Sequence, residues 1–217
     1  MALPTHETTG ISRPAYIAGM KPSRRRHVLF APLVAAMVAS SLPDDTLARQ
    51  AASPPSCPPL LKHQFNRLQD EAPQDLCQFA GKVVLVVNTA SYCGFTNQYE
   101  GLEKLFARYE KRGLVVLGFP SNDFGQQEPG SAKDIADLCF NTYAVRFPMF
   151  SKTVVSGSGR NALYAELYRA TGVAPGWNFH KYLINREGTV AAQFASQVEP
   201  LSAPIVKAVE QALRTRP

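Results

Sequence analysis

Cys93 lies where the sequence could supply a reactive thiol. Residues 83–88 are almost entirely aliphatic, as in a central strand covered on both faces. Small and polar residues fill 89–96, and apolar residues then recur at helical spacing over 98–112, up to Gly113. A thiol near the amino end of a helix feels the helix dipole and free N–H groups, which favour the reactive thiolate. The alternative is that Cys93 is a small buried hydrophobic residue.

The chain has four cysteines, and Cys57 and Cys77 form a first pair. They flank a predicted hairpin built from 62–68 and 75–79, with Glu-Ala-Pro in the turn. If the protein is exported, its compartment permits a disulfide between them, worth about 3 kcal/mol in the chain-entropy model. In a reducing cytoplasm both would remain free thiols. We favour the structural disulfide.

Cys93 and Cys139 are the second pair, and their spacing is not that of a CxxC redox motif. None of the four histidines clusters with them, so we expect no metal site. Cys139 falls in a predicted helix that begins at Ser131 and carries Ile135 and Leu138 on the same face. By its own pattern Cys139 is a core residue.

A basic and then apolar segment near the amino end is typical of a secretory signal. One lysine and three arginines at 21–26 precede the apolar run 28–39, which is too short to span a membrane. The paired arginines also fit a twin-arginine signal, which would mean export of the folded protein. We assign 1–43 to a targeting segment, with Met20 as an alternative start, and expect an exported, periplasmic protein. A disordered basic tail on a cytoplasmic protein is the alternative.

The rest of the chain predicts a flexible linker and one domain. Residues 44–59 are polar and proline-rich, and 60–217 is long enough for one core. Half of the net charge of +6 lies at the amino end, because residues 1–50 hold six basic and three acidic side chains. No basic stretch interleaved with aromatics follows, so we expect no nucleic-acid partner and no stable membrane insertion.

The order of predicted elements indicates an α/β fold. Two apolar strands, 83–88 and 114–119, are joined by the helix over 98–112, which makes a βαβ unit with a parallel strand pair. The later elements are a helix from 131, a helix over 160–170, strands over 179–185 and 189–194, and a helix over 200–214. This order is typical of a thioredoxin-like fold, with a central mixed β-sheet flanked by helices and an N-terminal hairpin.

Three separated motifs resemble the glutathione peroxidase family over about Lys62 to Leu213. They are NTASYCGFT at 88–96, GFPSNDFGQQEPGS at 118–131 and WNF at 177–179. The resemblance implies reduction of hydrogen peroxide and of organic or lipid hydroperoxides.

The resemblance also implies the catalytic residues. It makes Cys93 the peroxidatic thiol and places Gln127, Trp177 and Asn178 around it. The two amides and the indole N–H are donors that can stabilise a thiolate and a developing alkoxide.

Cysteine-type members of that family often carry a resolving cysteine in the helix after the QEPGS motif, and Cys139 matches it. Cys93 would become a sulfenic acid and condense with Cys139 to a disulfide. We expect both helices to unwind or shift locally, because neither thiol could stay in a packed helix and reach bonding distance. The resemblance implies no metal or selenium cofactor, slower peroxide attack than in selenium members, and a thiol reductant as co-substrate.

Departures from the family pattern refine these expectations. Many relatives read FPCNQFG where this chain has FPSNDFG, so Ser121 cannot be a redox partner. We expect Asp123 to point away from Cys93, since a nearby negative charge would disfavour the thiolate. The chain between Asn161 and Trp177 lacks the long insertion of tetrameric relatives, which favours a monomer or small dimer with an open site.

Several readings of the function stay open. No basic clamp for glutathione carboxylates is identifiable, and the cysteine pair favours a thioredoxin-like protein as reductant. A one-cysteine, glutathione-dependent peroxidase is an alternative, as is a peroxide sensor that passes its oxidation to a partner protein. A general disulfide exchanger is disfavoured because the CxxC motif is missing.

Overall fold

The computed structural model describes residues 56–215 of the chain. The predicted targeting segment and residues 44–55 of the predicted linker lie outside this range. None of the helices within it is long and apolar enough to span a membrane.

A four-stranded mixed sheet forms the centre of the domain, in the order β4-β3-β5-β6. Its strands are β3 (Val83–Thr89), β4 (Leu114–Pro120), β5 (Lys181–Ile184) and β6 (Val190–Phe194). β3 pairs parallel with β4 on one side and antiparallel with β5 on the other, and β5 pairs antiparallel with β6. The predicted βαβ unit, the mixed sheet and the thioredoxin-like order of elements are confirmed.

Helices cover both faces of this sheet. They are α1 (Gln98–Tyr109), α2 (Ala132–Ala136), a π-helix (Asp137–Thr142), α3 (Ala162–Thr171) and α4 (Ala203–Arg214). The side chains of Val83, Leu85 and Val87 point into a core cluster shared with α1 and α4. Those of Val84 and Val86 point into a second cluster shared with α3. Burial on both faces explains why β3 reads as an unbroken apolar run.

Capping side chains and glycines determine where several of these elements begin or end. Ser131 and Asp134 form a reciprocal capping box before α2, and Asn161 caps α3 through its side chain. Gly113 has φ +102°, so the chain can turn sharply out of the short 3₁₀ turn that follows α1. Residue 118 must be glycine for a steric reason, because a Cβ on it would lie 2.2 Å from the Sδ of Met149.

The N-terminal hairpin is present, but its second strand differs from the prediction. β1 (Gln64–Asn66) pairs antiparallel with β2 (Pro73–Asp75), so Pro73 belongs to the strand and not to the turn. The predicted strand over 75–79 is wrong, since Leu76–Phe79 is a 3₁₀ helix. The Asp75 carboxylate accepts a hydrogen bond from Cys77 N at 2.8 Å, which turns the chain at that point.

Two later boundaries also differ from the prediction. β5 begins at Lys181 and not at residue 179, because Phe179 has φ +64° and cannot continue a strand. The helix that begins after Ser131 is α-helical for five residues only and continues as the π-helix.

Cys57 and Cys77 are joined by a disulfide across a sequence separation of 20 residues. Cys57 and Pro58, which the sequence placed in the linker, are thus held against the domain. Pro58 packs closely on Gly188, and a Cβ added to residue 188 would lie 2.1 Å from the Pro58 Cβ.

We expect the double variant Cys57→Ser/Cys77→Ser to lose about 3 kcal/mol of unfolding free energy, because the closed loop restricts the unfolded chain. Guanidinium unfolding without reductant measures this loss. Added dithiothreitol should lower the unfolding free energy of the wild type to that of the variant, and it should leave the unfolding free energy of the variant unchanged. Equal stability of the two oxidised proteins would contradict the expectation.

Candidate active site

The loop that carries Cys93 runs from the end of β3 to α1. Its turns are held by Thr96, whose Oγ1 accepts a hydrogen bond from Cys93 N at 3.0 Å. The same hydroxyl lies 2.8 Å from the Cys93 carbonyl and 3.0 Å from that of Ala90, so its single proton can go to either. Cys93 is 9% exposed, and Phe95 N donates to its sulfur at 3.4 Å. Cys93 therefore lies in the predicted loop, five residues before α1, and the expectation that it must leave a helix to form a disulfide was wrong.

Gln127 and Asn178 come together at the same end of the sheet. The Nδ2 of Asn178 donates to the Oε1 of Gln127 at 3.0 Å and lies 3.4 Å from the carbonyl of Phe124. The backbone of Tyr92 donates to the Gln127 carbonyl at 3.0 Å, which ties the Cys93 loop to the Gln127 loop. Because the Gln127 oxygen is occupied, its NH₂ group remains as a donor.

Trp177 lies beside this pair and is 40% exposed. Its ring packs on Phe124 with centroids 5.8 Å apart, and a Cβ on Gly125 would lie 3.4 Å from Trp177 Cη2. The backbone is fixed by Asn88, whose Nδ2 donates to the Trp177 carbonyl at 3.0 Å. The structure thus brings Gln127, Trp177 and Asn178 together. Contact of their donors with the Cys93 sulfur stays a prediction.

Two residues that flank this group have left-handed backbone conformations. Gln126 has φ +52° and precedes Gln127, and Phe179 has φ +64° and follows Asn178. Such values cost energy for residues other than glycine and are found preferentially at functional sites. The Phe179 conformation is held by its N–H donating to the Asn88 carbonyl and by edge packing of its ring on Tyr99.

The Asp123 carboxylate is bound by the backbone of residues 155–156. Its Oδ2 accepts hydrogen bonds from the backbone N of Val155 at 2.7 Å and of Ser156 at 2.8 Å. The expectation that this carboxylate avoids Cys93 agrees with these contacts.

Comparisons with known proteins identify the family. The family model of glutathione peroxidase matches residues 62–168. A hydroperoxy fatty acid reductase of Synechocystis is 44% identical over 144 residues, which cover 60% of this chain and 83% of that protein. A glutathione peroxidase-like peroxiredoxin of Schizosaccharomyces pombe is 46% identical over 136 residues, which cover 61% of this chain and 86% of that protein. The chain belongs to the glutathione peroxidase family.

Solved structures agree with this assignment. The protein GPX1 of T. cruzi superposes with a TM-score of 0.55 at 29% identity, over 71% of this chain and 95% of that one. A thiol:disulfide interchange protein of Chlorobium tepidum superposes with a TM-score of 0.53 at 17% identity, over 75% of this chain and 98% of that one. The second likeness concerns the thioredoxin-like fold alone. As a glutathione peroxidase family member, the chain is a peroxidase that uses peroxide substrates and thiol reductants.

Cys139 lies in the π-helix of this family member and is fully buried. It belongs to the same core cluster as Cys93, and both are free thiols. Burial raises the pKa of the Cys139 thiol to about 12. A π-helix uses wider i→i+5 hydrogen bonds than an α-helix, is rare, and is frequently found at functional sites. Only one of the two thiols therefore needs to leave a helix to form a disulfide.

Glu128 is a buried carboxyl that the sequence reasoning missed. Its side chain is 0% exposed and faces Ser91, yet neither carboxylate oxygen has a hydrogen-bond partner within residues 56–215. Burial raises its pKa to about 7. No local pattern marks the residue, since it stands among turn-forming residues and is buried by distant segments. Asn88 could have been noticed as a polar residue at the end of an apolar strand.

We expect Glu128→Gln to remove a pH dependence of stability. The folded state opposes ionisation of this carboxyl, so its contribution makes the unfolding free energy fall as the pH rises from about 4.5 through 7. Relative to the wild type, the variant should be about equally stable near pH 4 and about 3 kcal/mol more stable near pH 8. Urea unfolding at both pH values measures the difference, in which other titrating groups cancel. A constant difference between the two proteins would contradict the expectation.

Proposed function

We propose that this glutathione peroxidase family member is a two-cysteine thiol peroxidase, with Cys93 as the peroxidatic and Cys139 as the resolving thiol. The observation that carries the proposal is the Asn178–Gln127 hydrogen bond on the loop joined to Tyr92. It fixes the orientation of the Gln127 amide and leaves its N–H groups as donors next to the Cys93 loop.

The first step is attack of the Cys93 thiolate on one oxygen of the hydroperoxide. An S–O bond forms while the O–O bond breaks, and the sulfur supplies the two electrons that reduce the peroxide. The departing oxygen takes a proton and leaves as water or an alcohol. Donors from Gln127 and Trp177 stabilise the negative charge that moves to this oxygen, while Asn178 holds the Gln127 amide in place through its own NH₂ group. The product on the protein is the sulfenic acid of Cys93.

The second step joins Cys93 to Cys139. The Cys139 sulfur attacks the sulfenic sulfur, the disulfide forms and water leaves. Rearrangement of the π-helix supplies the movement, because Cys139 is fully buried within it. A thiol reductant then restores both cysteines.

The names of two relatives support a proposal for the substrate and the reductant of this protein. One is named a hydroperoxy fatty acid reductase and another a glutathione peroxidase-like peroxiredoxin. We infer that the substrates include lipid hydroperoxides beside hydrogen peroxide, and that a thioredoxin-like protein is the reductant. Exposure of Trp177 and Tyr92 beside the site supports access for bulky substrates. Steady-state turnover with thioredoxin compared with glutathione tests the choice.

We infer that the protein is exported to the periplasm as a monomer or small dimer, with neither metal nor selenium as cofactor. The signal-like segment and the Cys57–Cys77 disulfide support export, since such bonds persist in oxidising compartments. Cell fractionation and light scattering test compartment and size. Retention of activity after exhaustive chelation tests the cofactor inference.

We expect Gln127→Ala to slow peroxide reduction about 100-fold, because one donor to the developing oxyanion is lost. The rate constant for Cys93 oxidation, followed by the emission of Trp177, measures the effect. Gln126→Ala is the matched control, since Gln126 is exposed and adjacent, and it should keep the wild-type rate. Equal rates for both variants would remove Gln127 from the proposed site.

One equivalent of hydrogen peroxide should convert the reduced protein to a Cys93–Cys139 disulfide. In Cys139→Ser we expect sulfenic or sulfinic Cys93 instead, with turnover by thioredoxin abolished. Intact mass and non-reducing peptide mapping distinguish these products. If Cys93 oxidises alike in both proteins and no such disulfide forms, Cys139 is a core residue and a small thiol is the reductant.

A further inference from the structure

A group of buried polar side chains lies beneath the Cys93 loop and is not used by the proposed steps. We call it the buried polar cluster, and its members are Thr89, Ser91, Tyr99, Glu128 and Cys139. The three hydroxyl oxygens and both Glu128 oxygens lack a hydrogen-bond partner within residues 56–215. Buried polar atoms are rarely left unsatisfied, and exceptions are frequently functional.

The cluster connects the elements that carry the two thiols. Ser91 lies two residues before Cys93, and Glu128 faces its side chain and backbone. On the other side, the Tyr99 hydroxyl lies next to the Cys139 thiol and the Thr89 hydroxyl. The charge of Glu128 acts on both Tyr99 and Cys139. The carboxyl is therefore near enough for its charge to oppose ionisation of the phenol and of the resolving thiol.

The charged groups around Glu128 leave its carboxylate free to accept a proton. Lys152 is the nearby cation, but its Nζ donates to the backbone carbonyls of Glu128 at 3.1 Å and of Gly130 at 2.8 Å. Asp134 and Asp137 line, with Glu128, a cavity of about 480 Å³ that lies between the Cys93 loop and the π-helix. They are acidic and offer the carboxylate no counter-charge.

The resolving step needs a base at this place. Burial holds Cys139 as a neutral thiol, because its pKa is raised to about 12. A thiol must lose its proton to attack sulfur effectively, since the thiolate is the nucleophile. Solvent hydroxide has poor access to a fully buried sulfur, so the proton acceptor has to come from the protein.

We propose that Glu128, which lines the cavity between the Cys93 loop and the π-helix, is the proton acceptor of the resolving step and takes the Cys139 proton. As the proton leaves, the Cys139 sulfur bonds to the Cys93 sulfur and the S–O bond of the sulfenic acid breaks. Hydroxide is released and takes the proton now held by Glu128, which gives water and regenerates the carboxylate. The inference rests on the proposed resolving role of Cys139.

The proposal predicts a particular pH profile. Glu128, with a pKa of about 7, cannot accept a proton at lower pH. The rate of disulfide formation should therefore rise about tenfold per pH unit below 7 and level off above it. Without a protein base, the rate would keep rising with pH towards the pKa of Cys139.

The experiment measures the two steps separately in the full chain. Reduced protein is mixed with one equivalent of hydrogen peroxide across a pH series and quenched at intervals. Intact mass then gives the amounts of sulfenic acid and disulfide. In Glu128→Gln we expect disulfide formation to slow about 100-fold near pH 8 and to lose its plateau, while sulfenic acid forms at the wild-type rate. Glu128→Asp should restore part of the rate.

Glu166→Gln is the matched control, because Glu166 belongs to α3 and contacts His63 on the other side of the sheet. It should match the wild type in both steps. Disulfide formation at the wild-type rate in Glu128→Gln, or a wild-type rate without a plateau above pH 7, would overturn the proposal. Absence of any Cys93–Cys139 disulfide in the wild type would instead overturn the resolving role itself, and with it this proposal.

Discussion

The parallel pairing of β3 with β4 is the constraint on which the site depends. The two strands pair in register from Val83 with Leu114 to Thr89 with Pro120, so their carboxyl ends reach the same edge of the sheet. The Cys93 loop follows the carboxyl end of β3, and the Gln127 loop follows the carboxyl end of β4. Open α/β sheets commonly bind ligands at such an edge. β5 runs antiparallel on the free side of β3, so the residues before it, Trp177 and Asn178, arrive at that edge as well. One strand thus brings together three segments far apart in the sequence.

Several features of the site are energetically unfavourable for folding, and they are of different kinds. Left-handed backbone at Gln126 and Phe179 is held by surrounding contacts. Buried polar atoms at Ser91 and Glu128 lack partners in the described part of the chain. The segment with Cys139 gives up α-helical regularity. Each would be unfavourable in isolation, and the double-sided apolar core around β3 keeps them in place.

The sequence allowed prediction of the elements whose pattern is strong and local. β3 and β4 are continuous aliphatic runs, and Ser131 and Asn161 are helix caps, so these features follow from short-range chemistry. The strand over 75–79 was wrong, because the Asp75 side chain bonds to Cys77 N and turns the chain. That competition between side chain and backbone is not visible in apolar periodicity.

Properties of the candidate site were harder to predict where they depend on distant segments. Cys93, Gln127, Trp177 and Asn178 came from motifs, and the structure adds the Asn178–Gln127 hydrogen bond. The π-helix was not predictable, because its wider hydrogen bonding follows from how the segment packs. Glu128 looks like a loop residue in the sequence, and only the folded chain buries it.

The close approach of Met149 to Gly118 has a consequence for durability. Met149 is the only methionine after residue 37, and it is fully buried with its sulfur where a β-carbon on Gly118 would stand. Thioethers are readily converted to sulfoxides by the oxidants that a peroxidase meets. Because Met149 is fully buried, an oxidant can reach its sulfur only when the surrounding segment opens. The resistance of this buried thioether to the substrate of its own domain therefore depends on how rarely that packing opens.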